Sequence, residues 1–424
     1  MNSSDAGKQY YTMDDLDFYG RTVLLRVDVN SPLDPESEVI LDDTRFRSHT
    51  RTISELKDAK VVILAHQSRP TKKDFTTLEA HGKKFQEILN RPVEYVEDVI
   101  GRYAREKIRE MRRGDILLLE NVRMLSEEMS EMKPEDMGRT LLVERLSGLA
   151  DFYINDAFAT SHRTQPSIVG FPLVMPSCAG RLMEKELNGL GRVITENSHP
   201  VTFVFGGSKV DDTIKVIKNV LKRGKVDKIL LAGLVANVFL AADGVDIGKK
   251  NLGFVEREGY VKQIEEAKRI LKGSKDKIVL PKDLAIKKEG ERIDVNVKDF
   301  PVEYPICDIG IETLVKFSNV VENAKAVVIN GSAGIFEEEE FSLGTYEILK
   351  ASIRSKCALI GGGHTASVAR RLQLEGKVRH ISTGGGASIA FLAGEELPGV
   401  EALKRSKEKF KNRLDGSVGR AADL

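Results

Sequence analysis

The segment VTFVFGGSKVDDTIKVIKNVL, residues 201–221, indicates the fold class of this chain. It begins with a continuous apolar run, which is typical of a strand covered on both faces, as in a parallel sheet. Two glycines follow, and then Val210, Ile214, Ile217 and Leu221 recur at the spacing of one helix face. A buried strand joined to a helix by a short turn is the repeating unit of α/β proteins.

Apolar runs of the same kind recur along the rest of the chain, with amphipathic stretches between them. Leu78, Gly82, Phe85 and Leu89, for example, fall on one helix face. Strands that alternate with helices predict parallel sheets with helices packed on both sides. The other predicted strands cover residues 22–28, 60–66, 115–121, 151–156, 228–233, 277–281, 326–331, 357–362 and 379–383.

The chain has 424 residues, more than one hydrophobic core usually holds, so the sequence predicts two domains. The segment CAGRLMEKELNGLGRVITEN (178–197) has good helix formers and no strand pattern, and we interpret it as a connecting helix. We therefore predict two doubly wound parallel-sheet domains joined by a hinge helix. The predicted boundaries are 1–178 for the first domain, 179–197 for the hinge helix, 198–396 for the second domain and 397–424 for a charged C-terminal tail.

Composition excludes several classes of partner. The 65 basic and 64 acidic residues leave a formal net charge of +1, so no global field is expected to attract nucleic acid or an acidic membrane. The longest uncharged stretch, residues 229–242, is shorter than the roughly 20 apolar residues that a membrane span needs. The 3 cysteines are far apart, and the N-terminus lacks a secretory pattern, so we expect a cytoplasmic protein.

Polar side chains follow the predicted strands of the first half. In open α/β sheets ligands bind beyond the carboxyl ends of the strands, where these side chains would lie. Arginines gathered there suit a small polyanion, because guanidinium groups pair bidentately with phosphate and carboxylate oxygens. Each arginine alone would equally suit an ion pair on a solvated face, and Asp28 and Asn30 alone would suit a turn before Pro32. The candidate residues are Asp28, Asn30, Arg45, His66, Arg69, Arg123, His162 and Arg163.

Glycine-rich junctions occupy the corresponding positions of the second half. FGGSK (205–209), IGGGHT (360–365) and STGGGAS (382–388) each follow a predicted strand and open a helix. Glycines let backbone N–H groups approach phosphate oxygens, and a helix N-terminus favours negative charge. One such junction would more often be a tight turn, but three of them, one carrying Lys209, favour a phosphate site. The turns contain neither a Walker A pattern nor G-x-G-x-x-G, which disfavours P-loop and dinucleotide-binding proteins.

These blocks, in this order, resemble the phosphoglycerate kinase family. RVDVNSP (26–32), AHQSRP (65–70), LLENVR (118–123) and INDAFATSHR (154–163) are similar to its triose-acid motifs. GGSKVDD (206–212), NGSAGIFE (330–337), GGGHTAS (361–367) and STGGGAS (382–388) are similar to its nucleotide half. The similarity extends from about residue 20 to residue 403 and indicates an archaeal-like branch.

The resemblance implies reversible phosphoryl transfer between Mg-ATP and the carboxylate of 3-phosphoglycerate, a step of glycolysis, with one substrate on each domain of a hinge-bending kinase. ATP or ADP and Mg²⁺ are the implied cofactors. The implied partners are small-molecule substrates, with no nucleic acid and no membrane, and the implied assembly is a monomer or homodimer. The implied triose-acid ligands are Asp28, Asn30, Arg45, His66, Arg69, Arg123 and Arg163. The implied nucleotide ligands are Gly207, Lys209, Gly233, Gly310, Asn330, Glu337, Gly361, Gly362, Gly363, His364 and Thr365. The implied catalytic residues are Arg45, Lys209 and Gly385. The backbone N–H groups of Gly384, Gly385 and Gly386 would donate hydrogen bonds to the phosphoryl group.

The sequence departs from the family pattern at several positions. Thr213 stands where the family usually has a second lysine, and His364 where it usually has an aspartate near the metal. Mg²⁺ prefers oxygen ligands, so His364 is a poor replacement and the metal ligand stays unassigned. HQSR and AGLVAN stand where the family usually has HLGR and GGGMA.

Two other functions compete with the kinase. A nicotinamide-dependent dehydrogenase on a similar sheet would explain neither the arginines nor the lack of a dinucleotide fingerprint. A non-catalytic phosphate-binding relative would suit Thr213 and His364, but the intact Arg45 and Lys209 argue against it.

Overall fold

The computed structural model describes residues 9–191 and 199–418 and divides the chain into two compact units. The first unit comprises residues 1–186 and 396–424, and the second comprises residues 187–395. Both units are built on parallel sheets whose strands alternate with helices, so the predicted α/β class is confirmed.

The described part of the first unit contains a sheet of seven strands: β1 (Tyr11–Thr12), β2 (Thr22–Arg26), β3 (Lys60–Leu64), β4 (Glu94–Val96), β5 (Ile116–Leu119), β6 (Phe152–Asn155) and β7 (Ser177–Ala179). Neighbouring strands are parallel throughout, in the order β1-β7-β6-β2-β3-β5-β4. The helices are α1 (Thr44–Glu55), α2 (Glu79–Leu89), α3 (Arg102–Glu110), α4 (Leu141–Ser147) and α5 (Arg181–Gly191).

The two faces of this sheet carry separate apolar clusters. Along β2, Val23 and Leu25 belong to one cluster and Leu24 to the other, because successive side chains of a strand point to opposite faces. All five residues of β2 are buried, which is why a continuous apolar run predicted this strand.

The predicted hinge segment begins in the sheet and not in a helix. Cys178 pairs with Ile154 of β6 and Tyr11 of β1, so the chain is extended there and α5 begins at Arg181. Helix α5 continues past the end of the first unit into the second. The rest of the predicted hinge helix, residues 192–197, lies outside the described residues, and the predicted domain boundaries stay a prediction.

The described part of the second unit contains a six-stranded parallel sheet and a three-stranded antiparallel sheet. The strands are β8 (Val201–Phe205), β9 (Lys228–Leu231), β10 (Ile278–Val279), β11 (Asp283–Lys288), β12 (Glu291–Asn296), β13 (Ile306–Ile309), β14 (Ala326–Asn330), β15 (Cys357–Gly361) and β16 (His380–Ile381). The helices are α6 (Val210–Lys222), α7 (Gly233–Ala242), α8 (Lys249–Arg257), α9 (Val261–Ser274), α10 (Ile311–Asn323), α11 (Leu343–Ala351), α12 (Gly363–Arg371) and α13 (Gly386–Ala393).

The C-terminal segment forms a further helix, α14 (Pro398–Val418). The sequence set this segment apart as a charged tail, whereas the structure groups it with the first unit. The reason is local burial: Leu403 and Phe410 are buried, and the hydroxyl of Ser406 donates to the carbonyl oxygen of Met175 at 3.1 Å. Among the described helices, including α14, none is long and apolar enough to cross a membrane.

Strand order places a crevice at one edge of each parallel sheet. In the first unit β3 lies on one side of β2, and the chain later returns with β6 on the other side. In the second unit β9 and β14 flank β8 in the same manner, in the order β10-β9-β8-β14-β15-β16. Ligands of doubly wound sheets bind where the strand order reverses, beyond the carboxyl ends of the strands.

Candidate functional site

Strand register brings the polar residues of the first unit to one level. Arg26, at the end of β2, pairs with Leu64 of β3 on one side and with Asn155 of β6 on the other. Asp28 and His66 therefore follow the two strand ends at the same distance along the chain. The residues predicted from strand ends alone thus face the same edge of the sheet.

An ion pair occupies the centre of this edge. Asp28, which is buried, accepts a hydrogen bond from the guanidinium of Arg45, near the start of α1. Burial alone would raise the pKa of Asp28, but Arg45, His66, the backbone N–H of Asn30 and Arg26 together hold that pKa well below its usual value. Asp28 is therefore an ionised acceptor, which suits a substrate hydroxyl.

The HQSR loop is held against this centre by hydrogen bonds to the neighbouring loops. The amide oxygen of Asn30 accepts from the backbone N–H of Ser68 at 2.7 Å. The amide nitrogen of Asn121 donates to the carbonyl oxygens of Gln67 and Thr76, both at 2.9 Å. The guanidinium of Arg123 donates to the carbonyl oxygen of Ser68. These bonds fix the loop that carries His66 and Arg69.

The sequence reasoning missed Arg26, which lies beneath the same edge and is 0% exposed. Its Nη2 lies 3.0 Å from Nδ1 of His66, and its Nε donates to Ser167 Oγ at 2.9 Å. The buried carboxylate of Glu128 accepts from the same Ser167 hydroxyl at 3.0 Å. The signal was present: Arg26 is the one charge within the apolar run TVLLRV (22–27).

The arginines repel one another. Burial, Arg163 and Arg26 lower the pKa of Arg123 to about 10. Burial also lowers the pKa of Arg163, and Arg26, Arg69 and Arg45 lower it further, against the opposite effect of Asp28. Nε of Arg123 is buried with no hydrogen-bond partner among the described residues. A polyanion bound here would relieve this repulsion and satisfy the free donor.

Behind this edge, His81 supports the HQSR loop. Its Nε2 lies 3.1 Å from the amide oxygen of Gln67, whose amide nitrogen donates to the carbonyl oxygen of Ser31 at 3.1 Å. A carbonyl oxygen only accepts, so Nε2 carries a proton. Burial lowers the pKa of His81 to about 4, so the ring is neutral at neutral pH.

We expect this histidine to make stability depend on pH. The unfolded chain takes up a proton near the ordinary histidine pKa of about 6.5, whereas folded His81 does not until about 4. The free energy of unfolding should therefore fall as pH decreases from about 6.5 to 4, by on the order of 3 kcal/mol for this residue. His81→Gln keeps the donor but does not titrate, so urea unfolding across this range should show a shallower decline. Parallel curves for the two proteins would contradict this role of His81.

In the second unit, three loops pack backbone against backbone where the strand order reverses. Gly206 and Gly207 donate to the carbonyl oxygens of Asn330 and Ser332 at 2.9 and 2.7 Å. Gly233 donates to the carbonyl oxygen of Ala333 at 3.0 Å. A Cβ at Gly233 would lie 2.7 Å from the backbone nitrogen of Gly207, and its φ is +57°, so only glycine fits.

Two buried oxygens that have no hydrogen-bond partner in the described part of the chain lie beside the N-terminus of α12. These are Oδ1 of Asn330 and Oγ1 of Thr365. A Cβ at Gly362 would lie 2.8 Å from the first and 3.6 Å from the second, so both oxygens adjoin the same glycine. The first backbone N–H groups of α12 have no acceptor within the helix. Donors for phosphate oxygens and two free acceptors thus meet at one place.

The STGGGAS turn presents an open helix N-terminus. Gly385 has φ +50°, which favours glycine, and a Cβ built there has nothing within 4 Å. Gly384 N–H donates to Oγ of Ser382 at 3.0 Å, and helix α13 follows from Gly386. The described residues thus leave open the position that a side chain at Gly385 would take.

The other predicted nucleotide residues have different surroundings. Lys209 and Glu337 are exposed, and the exposed ring of His364 contacts that of Phe336, with centroids 5.9 Å apart. A Cβ at Gly310 would lie 2.2 Å from Oδ2 of Asp283, which caps α10, so this glycine is required by packing. The further residues of the set, Gly361 and Gly363, lie on either side of Gly362.

Thr213 stands where the family usually has a second lysine. It is buried, and its hydroxyl donates to the carbonyl oxygen of Lys209, the residue before α6, at 2.9 Å. Among the described residues no cluster of three or more histidine, cysteine or acidic side chains is placed to hold a metal ion.

Comparison with known proteins agrees with this geometry. Residues 13–395 match the sequence model of the family described as phosphoglycerate kinase. The phosphoglycerate kinase of Methanothermus fervidus is 51% identical over 404 residues, which cover 95% of this chain and 98% of that protein. The phosphoglycerate kinase of Methanosarcina mazei is 50% identical over 405 residues, with 95% and 97% coverage.

Solved structures give the same result. The crystal structure of phosphoglycerate kinase from Pyrococcus horikoshii OT3 is 42% identical and aligns with a TM-score of 0.88, over 94% of this chain and 100% of that one. The structure of phosphoglycerate kinase from Coxiella burnetii is 29% identical, with a TM-score of 0.74 over 93% of this chain and 99% of that one.

Proposed function

This chain belongs to the phosphoglycerate kinase family and catalyses reversible phosphoryl transfer between ATP and the carboxylate of 3-phosphoglycerate, and from that premise we propose which residues carry out the transfer. The reaction, a step of glycolysis, is the one that the sequence predicted, and the archaeal resemblance is confirmed by identities near half with archaeal relatives.

The triose acid binds at the basic edge of the first unit. The observation that carries this assignment is that the buried Arg26 and Arg123 and the half-buried Arg163 lie around the ion pair between Asp28 and Arg45, close enough that Arg26 adds to the effect of burial in lowering the pKa of the other two. Arg69, Arg123 and Arg163 bind phosphate and carboxylate oxygens, and Asp28 with Asn30 binds the hydroxyl. His66 belongs to the same edge. Burial and the adjacent Arg26 hold its pKa well below the ordinary value, so it binds as a neutral ring.

The nucleotide binds where the loops after β8, β9 and β14 of the second unit pack together, beside the start of α12. Backbone N–H groups at the starts of α12 and α13 bind phosphate oxygens, and Lys209 adds a positive charge. Oδ1 of Asn330 and Oγ1 of Thr365, which have no hydrogen-bond partner among the described residues, lie beside the start of α12. Gly207, Gly233, Gly310, Glu337 and His364 complete the proposed nucleotide set, as the family resemblance implies.

The chemistry needs charge neutralisation and not a base. A carboxylate with a pKa of about 3.5 is ionised at neutral pH, so it attacks the γ-phosphorus without giving up a proton. Arg45, Lys209 and the N–H of Gly385 stabilise the negative charge of the phosphoryl group between the two oxygens. Bound Mg²⁺ would neutralise the nucleotide phosphates, whose oxygens it prefers to the nitrogen of His364.

The two half-sites lie in different units, so we propose that they meet by closure about the connecting segment. The sequence predicts residues 179–197 as this segment. Closure would exclude water from the phosphoryl group while it is in transit. The three cysteines are free, in keeping with a reducing, cytoplasmic location. The expected monomer or homodimer stays a prediction.

We expect the activity to be lost without a divalent metal. With ATP, Mg²⁺ and 3-phosphoglycerate, hydroxylamine should trap the acyl phosphate product as a hydroxamate, detected by its ferric colour. A chelator should abolish the hydroxamate, and added Mg²⁺ should restore it, because the phosphate charge is otherwise unneutralised. Full hydroxamate formation in excess chelator would contradict the metal requirement. The absence of hydroxamate in the presence of Mg²⁺ would contradict the assigned reaction.

A further inference from the structure

Three polar side chains on helix α1 point along one row. Arg45, His49 and Thr52 follow one another at intervals of four and three residues, which places them on the same helix face. At one end Arg45 binds Asp28 in the triose-acid site. At the other end, about 10 Å along the axis, Oγ1 of Thr52 accepts the backbone N–H of Arg181, the first residue of α5, at 2.9 Å.

Between these ends His49 is 1% exposed and makes polar contacts with two residues. Its Nδ1 lies 2.7 Å from Oδ2 of Asp156, and its Nε2 lies 3.1 Å from the backbone nitrogen and 3.2 Å from the carbonyl oxygen of Asp28. An ionised carboxylate only accepts, so Nδ1 carries the proton and Nε2 accepts the N–H of Asp28. The ring therefore bridges the substrate loop after β2 and the end of β6.

The second oxygen of Asp156 extends the bridge to α5. Oδ1 accepts the backbone N–H groups of Leu182 and Met183 at 2.8 and 3.3 Å. The first N–H groups of a helix have no partner within it, so Asp156 caps α5 from another segment of the chain. The fit is close, since a Cβ at Gly180 would lie 2.2 Å from the same oxygen.

The side chain of Arg181 makes a second connection between α1 and α5. Its guanidinium is paired with Glu55 of α1 at 2.7 Å and also with Asp14 and Glu184. A cation at a helix N-terminus opposes the helix dipole, so the three carboxylates offset an unfavourable position. Helix α1 is thus connected to the triose-acid site at one end and to the start of α5 at the other.

We propose that His49 is a positioning residue that couples occupancy of the triose-acid site to the start of α5, the helix that leads out of the first unit. A bound triose acid competes with Asp28 for the guanidinium of Arg45, and any resulting movement of the Asp28 backbone or α1 is passed through the ring to Asp156. No proton moves in this coupling. The proposal rests on the closure proposed above.

Two substitutions each break one half of the bridge. In His49→Asn the amide nitrogen replaces Nδ1 and keeps the bond to Asp156, but the contact with Asp28 is lost. In His49→Gln the amide oxygen replaces Nε2 and keeps the bond from Asp28, but the donor to Asp156 is lost. Ser48→Ala is the matched control, because the Ser48 hydroxyl, among the residues that the structure describes, donates only to the carbonyl oxygen of Thr44 within α1.

The readout is the coupling between substrates. It is the ratio of the 3-phosphoglycerate dissociation constants without and with a non-hydrolysable ATP analogue. We expect a ratio above one in the unaltered chain and in Ser48→Ala, and a ratio near one in both His49 variants. The affinity of these variants for 3-phosphoglycerate alone should stay within about threefold, while kcat falls about tenfold. Loss of packing alone would lower the melting temperature without removing the coupling.

Hydrogen exchange in the unaltered chain tests the same link without any substitution. Amide exchange in residues 181–186 should slow when 3-phosphoglycerate binds alone, and should not respond in the His49 variants. Normal coupling in both variants, or unresponsive exchange in the unaltered chain, would overturn the role of His49 while leaving closure in place. A coupling ratio of one in the unaltered chain would overturn both the role of His49 and closure.

Discussion

Arg45→Ala is expected to lower kcat by about 10²- to 10³-fold while the affinity for ATP stays nearly unchanged. Arg45 pairs with Asp28 in the triose-acid half-site, whereas the proposed nucleotide residues belong to the other unit. Its guanidinium is one of the groups proposed to neutralise the phosphoryl group in transit, so the loss falls on the transition state and appears in kcat. Steady-state kinetics with a separate titration of the nucleotide measures both quantities.

The matched control for this variant is Arg47→Ala. Arg47 lies on the same helix, but its exposed guanidinium pairs with Asp43 on the surface, with Nη2 2.7 Å from Oδ2. This change should leave kcat within about twofold, because exposed ion pairs contribute little. Near-normal turnover of Arg45→Ala would remove Arg45 from the mechanism.

Gly385→Val is expected to lower turnover by about 10²-fold or more in a chain that still folds. A Cβ at Gly385 meets none of the described residues within 4 Å, so they leave room for the side chain. Gly385 immediately precedes α13, whose N-terminus is proposed to bind the phosphoryl group, and we expect the methyl groups of valine to obstruct it. The cost to stability is the strain of a branched residue at φ +50° and ψ −120°, a backbone region that favours glycine, about 1–3 kcal/mol.

Gly376→Val separates this strain from the loss of the phosphate site. Gly376 also has a positive φ, +80°, and nothing within 4 Å of an added Cβ. It lies between α12 and β16, at the opposite edge of the sheet from the strand ends that carry the glycine loops. Denaturant unfolding should show a loss of stability in both variants, whereas only Gly385→Val should lose turnover. Equal activities would exclude STGGGAS from phosphate binding.

Most parallel strands were predictable because the parallel sheets are buried on both faces, but β1, β4 and β7, of two or three residues each, were not predicted. Each predicted strand contains an observed strand. Several predicted strands extend too far, because the chain stops pairing with its neighbour before the polar residue that follows, such as Asp28 after β2. The antiparallel sheet was missed for the converse reason. Strand β12 (ERIDVN) is exposed to half-buried along its whole length, so it has no apolar run to recognise.

The basic edge was predictable because the carboxyl ends of parallel strands lie at the same edge of the sheet, so residues that follow different strands come close together in space. Arg26 and His49 were not predicted, since their roles depend on distant residues. In the sequence Arg26 is a single charge within an apolar strand, and its contacts with Ser167 and His66 are known only from the structure. His49 reads as part of a solvated helix face, and its burial depends on Asp156, which is 107 positions further along the chain.

The most direct test of the proposed mechanism is the radius of gyration measured by small-angle X-ray scattering in four ligand states. Each substrate alone contacts one unit, and only an interaction that favours the closed state can shift the population. We therefore predict clear compaction with 3-phosphoglycerate and a non-hydrolysable ATP analogue together, and less with either alone. A radius of gyration that stays constant across all four states would contradict closure of the two half-sites.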